Sequence, residues 1–593
     1  MAINTYNPSA ERREAKRYDA QEGAKESRFG PNYKWIVLSN TTIGALMFAI
    51  DSSIVLISLP EIFGGLGVNP LVPSNIILLL WMLLGYFIIT SACVVTIGRL
   101  ADMYGRVKLY NIGFVIFAIT SVLIYVSSYF VHGVPGALSI IVLRLFQALG
   151  GSFLFANSAA LITDAFPHNE RGMALGINGI AFSGGSIIGL LIGGVLAAVD
   201  WHLIFLISVP VGIAGAIWSY FALHELASIK KDKKIDIAGN AVFAAAMTIL
   251  MISLTYTLIP FGSSPSGWSN PFVIFGIVLS VILFGAFVAI ETKLPDPMFR
   301  LSLFKNKGFS MGNLTMFLAG VARWGLEFMI IIWLQGIWLP SRGVDFAQTP
   351  FLAAVYMLPL TIGFLLLGPI SGKLSDKYGP RIIATAGMLL SFVGFILLSL
   401  LPTNFSVAPF AAITFLIGAA QGMFLSPNIA SIMNSLPPEH RGAGSGMRST
   451  IMNASMMFSI IIFFTLLVAG LSVTLPAHIY SGLVSQGIAP SQARAVSQLP
   501  PTAALFAAFL GYNPIKTIVP AQALSNLTSQ QLQKIESPSF FPTLVSSSFM
   551  SGLRDVLWVA AAMSLVAAVV SALRDNKDIY TKDKGEQGPI IAH

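Results

Sequence analysis

One apolar segment of this 593-residue chain is followed by Gly98-Arg99-Leu100-Ala101-Asp102-Met103-Tyr104-Gly105-Arg106. Another apolar segment is followed by the similar stretch Gly372-Lys373-Leu374-Ser375-Asp376-Lys377-Tyr378-Gly379-Pro380-Arg381. A second pair of stretches matches at nearly the same offset: Phe166-Pro167-His168-Asn169-Glu170-Arg171-Gly172 and Leu436-Pro437-Pro438-Glu439-His440-Arg441-Gly442. Two matches at nearly one offset indicate an internal duplication. The sequence therefore predicts two related halves.

The composition predicts that both halves lie in a membrane. Only 10% of the residues are charged, 55% are hydrophobic, and the mean hydropathy is +0.77. A soluble chain carries about 25% charged residues, so a soluble protein is excluded. A helix crosses the hydrocarbon with about 20 apolar residues, and this length gives roughly fourteen spans. We therefore predict an all-α membrane protein with two pseudo-symmetric six-helix halves and two inserted helices, an architecture known from transporters.

The basic residues predict the orientation. The net charge is +9, and Lys and Arg are concentrated before the first span and in the loops at 230–234 and 293–307. The loops at 61–75, 132–136, 261–271 and 402–408 contain neither residue. This alternation follows the positive-inside rule, so we expect an inner-membrane protein with both termini in the cytoplasm and an uncleaved first span.

The spans and loops predict five regions. We expect a cytoplasmic N-terminal tail (1–34), a first six-helix half (35–223), a linker with two inserted helices (224–309), a second six-helix half (310–573) and a cytoplasmic C-terminal tail (574–593). The second half includes a long outer segment at 474–549. That segment either packs over the outer mouth or membrane surface, or forms a partly ordered loop. Thr528 and Gln531 have the spacing of a capping box.

These motifs resemble the major facilitator superfamily, in particular its fourteen-helix drug:proton antiporter branch. The loop from Gly98 to Arg106 is similar to the signature between the second and third helices of that superfamily. Arg144, Gln147 and Gly150 resemble its fourth-helix motif, with Ala148 in place of a usual glycine. The resemblance to the branch includes the stretch 50–55 before Leu59-Pro60, and Trp201, with His202 in place of arginine. Five glycines resemble the fifth-helix antiporter motif of the branch, with Leu190 in place of proline: Gly176, Gly185, Gly189, Gly193 and Gly194.

The glycine-and-charge loop predicts a conformational latch on the cytoplasmic side. Gly98 and Gly105 allow a tight reversal, and Asp102 is placed to cap the next helix. Arg99 and Arg106 can pair with acceptors at neighbouring helix ends, and Asp376 and Arg381 repeat the pattern. The alternative is a turn that only carries positive-inside charge. We expect the fifth-helix glycines to form a tightly packed interface between the halves.

Four charges inside the spans point to proton coupling: Asp51, Arg144, Arg323 and Glu327. Each costs several kcal/mol in a membrane unless it is paired or hydrated. Their depths predict that all four line one polar cavity between the halves. Burial favours the neutral form of a carboxylate, whereas a nearby arginine favours the ionised form. The protonation of the carboxylate can therefore differ between two access states. Two static ion pairs, Asp51–Arg144 and Arg323–Glu327, are the alternative.

Aromatic and amide side chains supply candidates for the substrate path, although each is also a candidate for packing: Asn40, Trp81, Tyr86, Gln147, Asn157, Trp324, Gln335 and Tyr356. We predict a proton-driven exporter of amphipathic or cationic organic compounds, of the multidrug efflux and drug-resistance type. It would be no enzyme, would need no cofactor except the proton gradient, no metal and no nucleic acid, and would function as a monomer in the lipid bilayer. Export of a lipid or metabolite, symport, and a non-transporting receptor remain alternatives.

Overall fold

The computed structural model describes residues 30–69, 72–167, 170–226, 236–262, 264, 266–294, 297, 299–436, 441–519, 524 and 527–574. Within these ranges fourteen helices are long and apolar enough to cross a membrane, as predicted. The first half contains α1 Tyr33–Leu66, α2 Pro73–Tyr104, α3 Arg106–Phe130, α4 Gly133–Ala165, α5 Arg171–Asp200 and α6 Leu203–Leu206 with Ser208–Ala222. The inserted helices are α7 Ile237–Tyr256 and α8 Pro271–Glu291.

The second half repeats the six-helix order. Its helices are α9 Lys307–Ile331, α10 Thr349–Tyr378, α11 Pro380–Ser399, α12 Val407–Asn434, α13 Arg441–Ser485 and, after a segment with short helices, α17 Phe540–Ala572. The end of α9 continues as a π-helical stretch, Ile332–Trp338. The basic loop at 230–234 and most of both predicted tails lie outside the described residues.

The packing shows that the halves are equivalent. In the first half α1 packs on α5, α2 and α3 pack on α4, and α3 packs on α6. In the second half α9 packs on α13, α10 and α11 pack on α12, and α11 packs on α17. The halves meet through two equivalent pairs, α5 with α10 and α2 with α13. The predicted fold of two pseudo-symmetric halves with two inserted helices is confirmed.

Glycine forms the same turn in both copies of the repeated loop. Gly105 has φ 103° between α2 and α3, and Gly379 has φ 85° between α10 and α11. Residues that carry a side chain rarely adopt this backbone conformation, which explains the glycine at both positions. Gly98 was expected to share in the reversal, but it lies inside α2 because the helix continues to Tyr104. Only one of the two predicted glycines therefore forms the turn.

The outer segment is shorter than the predicted range 474–549. The helix α13 continues to Ser485 and α17 already begins at Phe540, because helices can extend beyond the apolar part of a span. Between them lie α14 Pro490–Ser497, α15 Pro501–Phe509, a single helical turn Ile515–Ile518 and α16 Ser529–Glu536. The helix α16 begins with the predicted capping box.

All nine side chains of α15 are buried, although this helix lies outside the predicted spans. It packs against the π-helical stretch, α13 and α17 of its own half and against α2 of the other half. Phe506 stacks on Phe464 of α13 with 5.3 Å between ring centroids, and the backbone of Phe509 lies against Gly336. A chain segment that belongs to the second half therefore reaches the first half.

Candidate functional site

Asp51 is the centre of a buried hydrogen-bonded cluster inside the first half. Its carboxylate accepts a hydrogen bond from Nε2 of Gln147 at 2.9 Å and contacts Nη1 of Arg144 at 3.4 Å. Gln147 also donates to Oγ of Ser121 at 2.8 Å. The exposed fraction of the side chain is 3% for Arg144 and 1% for Asp51. Three helices, α1, α3 and α4, thus hold one ion pair out of contact with lipid.

Arg144 is incompletely satisfied in this cluster. Its Nε atom has no hydrogen-bond partner among the described residues, and its guanidinium carbon lies 5.1 Å from the ring centroid of Tyr86. The hydroxyl of Tyr86 is also buried without a partner among those residues. A buried pair stabilises a structure only when its geometry is good and its other hydrogen-bonding groups are satisfied. The Asp51–Arg144 pair is thus held in surroundings that leave Nε of Arg144 and the Tyr86 hydroxyl without a hydrogen bond among the described residues.

Arg323 and Glu327 form the second ion pair, on α9. Nη2 of Arg323 lies 3.1 Å from the Glu327 carboxylate, and the exposed fractions are 14% and 19%. The Arg323 guanidinium lies against the rings of Trp324 and Phe364, at 4.9 and 4.5 Å. A small cavity beside the pair is lined by Arg323, Leu326, Glu327, Leu360, Phe364, Ile417, Gly418 and Gln421.

Gln421 repeats the position of Gln147 in the second half. Its Nε2 donates to Oγ of Ser391 at 3.2 Å, as Gln147 donates to Ser121. Sequence analysis did not identify Gln421, although comparing the fourth helix of each half would have found it. The amide and hydroxyl are thus duplicated, whereas the buried ion pair of the first half is not.

The predicted common cavity would bring the four charges together, but the structure does not join them in one hydrogen-bonded cluster. Among the described residues, no hydrogen bond or ion pair connects the two pairs. Each arginine contacts the carboxylate of its own half, and aromatic rings occupy the region between the halves. Phe182 of α5 lies 5.9 Å from Phe48 of α1 and 6.4 Å from Trp324 of α9, centroid to centroid.

The halves are in contact at one end of the spans, which is the end predicted to face outwards and is called the outer end. Nε2 of Gln335 in the π-helical stretch donates to the carbonyl oxygen of Ile57 at 3.1 Å. A Cβ atom on Gly194 would lie 2.8 Å from Cα of Phe351, so α5 and α10 meet backbone to backbone. At the opposite end of the spans, Gly176 and Gly184 of α5 face open space. This arrangement is closed on the outer side.

Comparison with known proteins supports the resemblance suggested by the motifs. The model of the Major Facilitator Superfamily matches residues 41–304 and 312–572. The chain belongs to this superfamily. The riboflavin transporter RibZ of Clostridioides difficile is 30% identical over 423 residues, which are 71% of this chain and 86% of the relative. The tetracenomycin C resistance and export protein of Streptomyces glaucescens is 25% identical over 94% of both chains.

Solved structures agree on the fold. A bacterial homologue of the human lysosomal transporter Spinster aligns with a TM-score of 0.53 at 16% identity, covering 93% of this chain and 99% of the other. The predicted family, with its drug-efflux branch, is confirmed. The protein is a multi-pass membrane protein of a transporter family.

The superfamily signature loop makes its contacts within the first half and the linker. Arg106 contacts Asp102 at 2.7 Å and Asp164 at 2.6 Å. Asp102 was expected to cap α3, but the Glu225 carboxylate accepts the backbone N–H groups at 106, 107 and 108 because Asp102 is engaged by the Arg106 side chain. Arg99 donates to the carbonyl oxygen of Pro297 in the linker.

The second copy of the loop is described only in part. The side chain of Asp376 lies outside the described residues. Arg381 lies in the first turn of α11. The role of the two loops as a latch stays a prediction.

The antiporter-type glycines of α5 do not form a common interface between halves. Cβ atoms on Gly185, Gly189 and Gly193 would collide with α1, in the same half. Gly194 alone of the predicted set contacts the other half, and Gly176 faces open space. The prediction was wrong in this respect because the sequence does not tell which helix each glycine contacts.

The predicted path residues are distributed over several environments. Asn40 is buried between helices of the first half, and its carbonyl accepts the Tyr110 hydroxyl at 3.2 Å. Asn157 donates to its own helix, at the Phe153 carbonyl. Four others belong to the contacts described above. Tyr86 and Gln147 lie at the Asp51 cluster, Trp324 lies between the halves, and Gln335 lies at the outer contact. Tyr356 packs edge-on against Trp338, and Trp81 is half-buried.

Sequence analysis missed further ionisable residues in the helices, among them Arg448 and Glu61. Arg448 of α13 is half-buried, its Nη2 lies 3.4 Å from Oγ of Ser449, and its Nε has no partner among the described residues. Glu61 was assigned to an outer loop but lies inside α1, which continues six residues past Pro60. A search for charges near the ends of spans would have found both.

Proposed function

We propose that the protein is a proton-coupled secondary transporter that exports amphipathic or cationic organic compounds by alternating access. The observation that carries this proposal is the buried cluster of Asp51, Arg144 and Gln147. A carboxylate that shares a water-excluded site with an arginine on another helix can gain or lose a proton as the helices move. The export proteins among the relatives support the direction of transport.

In the proposed cycle, the protein binds substrate and proton in turn. In the outward-facing state Asp51 or Glu327 takes up a proton and substrate leaves. In the inward-facing state the carboxylate loses the proton, and the ionised form favours substrate binding. Each proton that enters down a potential of 100 mV supplies about 2.3 kcal/mol. The gradient replaces a cofactor, and each monomer contains both halves, so no partner chain is needed.

The contacts at the outer end support the alternating part of the cycle. Opening outwards would separate Gln335 from Ile57 and Gly194 from Phe351, and the α5–α10 and α2–α13 pairs would tilt. The positive-inside pattern supports a cell-membrane location with both termini in the cytoplasm. Asp102, Arg106 and Asp164 keep the inner end of the first half together during this motion.

Export of an endogenous metabolite is the second candidate function. It is favoured by the 30% identity to a protein named as a riboflavin transporter. In that case the same fold would move a flat, uncharged compound, either as an exporter or as a symporter. A receptor that no longer transports is the weakest candidate, because the chain retains its intramembrane ion pairs.

Transport by purified protein in liposomes tests the proposal. Efflux of a panel of cationic, neutral and anionic aromatic compounds is measured with and without an imposed pH gradient. We expect the gradient to accelerate efflux of cationic or amphipathic compounds. Export that does not respond to the gradient contradicts proton coupling, and exclusive transport of neutral metabolites favours the second candidate.

The variant Asp51→Asn tests the role of the buried carboxylate. We expect the response to the pH gradient to fall at least about tenfold, which corresponds to about 1.4 kcal/mol, while gradient-independent exchange of substrate continues. Asp345→Asn is the matched control, because Asp345 is an outer carboxylate that caps a short turn through the Ala347 N–H. Unchanged pH dependence of Asp51→Asn would remove Asp51 from the coupling mechanism.

A further inference from the structure

Glu61 is a carboxylate of α1 that the proposed cycle does not use. Its Oε2 atom is buried and has no hydrogen-bond partner, and Glu61 forms no ion pair with any described residue. It follows Asp51 by ten residues, which places it about 15 Å nearer the outer surface along the helix. The two carboxylates therefore occupy different depths of the same helix.

Glu61 lies where the halves close on the outer side. It follows Ile57 by four residues, so it lies on the same face of α1, one turn farther out. The carbonyl oxygen of Ile57 is the acceptor for Gln335 of the second half, whereas Oγ of Ser58 donates to the Gly193 carbonyl of α5 at 3.3 Å, a contact within the first half. The helix turn that leads to Glu61 is thus in contact with the second half through the Ile57 carbonyl and Gln335.

Among the described residues, no cation is paired with the Glu61 carboxylate in this arrangement. The helices that pack on α1 are α2, α4, α5, α6 and α10. The ionisable groups at or beside their outer ends are His132, Asp200, His202, Arg342 and Asp345. Asp200 bonds His202 and Tyr129, and Arg342 bonds Asn404 and the Phe405 carbonyl. None of these groups bonds Glu61.

Burial and the lack of a cationic partner make the ionised form of the Glu61 carboxyl group less favourable than the neutral form. An ionised carboxylate taken from water without a cation or sufficient hydrogen-bond donors costs several kcal/mol, whereas a neutral carboxyl group costs far less. The closed outer contact therefore favours the neutral form of Glu61. When the halves separate, water reaches the carboxylate and the ionised form is no longer penalised.

We propose that Glu61 is an outer proton-binding residue whose protonation accompanies closure of the outer contact. A proton from the outer solution binds the carboxylate in the open state, and closure buries the neutral group. Because the closed state binds this proton more tightly, acid on the outer side favours closure. The proposal rests on the alternating-access function above, but it concerns a step that can be measured without substrate.

The test measures how far the outer contact is open. Ala354 is fully buried on α10 and follows Phe351 by three residues, so it lies on the face that meets α5. The sole cysteine, Cys93, is replaced in the variant Cys93→Ser, and Ala354→Cys is then labelled from outside with a membrane-impermeant maleimide. We expect labelling, corrected for the reaction of a model thiol at each pH, to slow several-fold when the outer solution is acidified.

Variants of Glu61 in this background decide the proposal. Glu61→Gln mimics the neutral form, so we expect slow labelling at every outer pH. Glu61→Asp retains a titratable group and should keep the pH response, and Asp345→Asn should label like the parent. A Glu61→Gln protein with the parental pH response would overturn the proposal. Loss of the response in Asp345→Asn would also contradict it, because the effect would then not be specific to Glu61.

Transport separates failure of this proposal from failure of the proposed function. If the parent protein shows no gradient-driven efflux, the proposed function fails, while the labelling still reports on Glu61. If efflux of the parent depends on outer pH and Glu61→Gln retains that dependence, the proton-coupled function stands and the role of Glu61 is rejected.

Discussion

Asp51 and Glu327 differ in where their arginines are located. Arg323 is on the same helix as Glu327, four residues away, so helix motion does not change their separation. Arg144 is on α4, whereas Asp51 is on α1, so relative motion of two helices changes the distance between them. A conformation-dependent change in proton affinity requires partners on different elements. Asp51 is therefore the better candidate for coupling protonation to conformation.

Gln147→Leu tests whether the amide tunes Asp51. Gln147 donates to the ionised carboxylate, and a hydrogen bond to a charged group contributes about 1.5–3 kcal/mol. Without it the ionised form is less favoured, so we expect half-maximal efflux to move to a pH about one unit or more higher. Measuring efflux against pH in liposomes checks this shift.

Gln421→Leu is the matched control for that variant. Gln421 bonds Ser391 in the equivalent position but contacts no carboxylate through that bond. Its replacement should leave the pH profile in place. Equal shifts in both variants would indicate a general packing effect and would contradict the tuning role of Gln147.

At the scale of helices, α5 serves two purposes along its length. Three of its glycines admit close packing on α1 within the half, and Gly194 admits the backbone of α10 from the other half. Close helix approach through small residues is typical of membrane interfaces. The helix thus joins a fixed contact inside the half to a contact that must open between the halves.

Gly194→Val tests the contact between α5 and α10. A side chain at this position would overlap the backbone at Pro350 and Phe351, and overpacking typically costs about 1–3 kcal/mol. We expect the outward-closed state to be destabilised, so Ala354→Cys should be labelled about fivefold faster or more from outside. Gly176→Val is the control, because a side chain there meets nothing within 4 Å. Equal labelling of both variants would contradict the assignment of Gly194 to the outer contact.

At the scale of the molecule, the outer side is closed by three layers. Gln335 bonds Ile57, the backbones of α5 and α10 meet, and α15 covers the contact between α2 and the second half. The first two layers use residues of the spans, and the third comes from the segment between α13 and α17. Opening outwards must separate α15 from α2, because α15 is connected at both ends to the second half.

Replacement of residues 490–536 by a flexible Gly-Ser linker tests this third layer. Loss of a fully buried apolar helix removes its packing energy from the closed state, so the outer contact should open more often. We expect faster labelling of Ala354→Cys from outside and slower gradient-driven efflux. Replacement of the polar residues 490–497 alone is the control and should change both measurements less. Transport at the parental rate after the larger replacement would show that the segment is not part of the gate.

The sequence predicted the architecture well because lipid imposes simple rules on it. Apolar length located the fourteen helices, and the repeated loop located the two halves. Asp51 and Arg144 were found because charge is rare in an apolar span. Three features depended on tertiary contacts instead: the partner helix of each α5 glycine, the burial of α15, and the capping of α3 by Glu225. Glu61 was missed for a local reason, since Pro60 was taken as the end of a helix that continues.

The glycine at position 418 makes the two halves chemically unequal. Arg144 precedes Gln147 by three residues, and Gly418 precedes Gln421 by the same interval. The backbone of Leu360 lies so close to Gly418 that no side chain fits there. The duplicated position therefore carries a guanidinium in the first half only, and this asymmetry is built into helix packing. A division of labour follows at this pair of positions, where the first half keeps a charge that links two helices and the second half is free to diversify towards cargo.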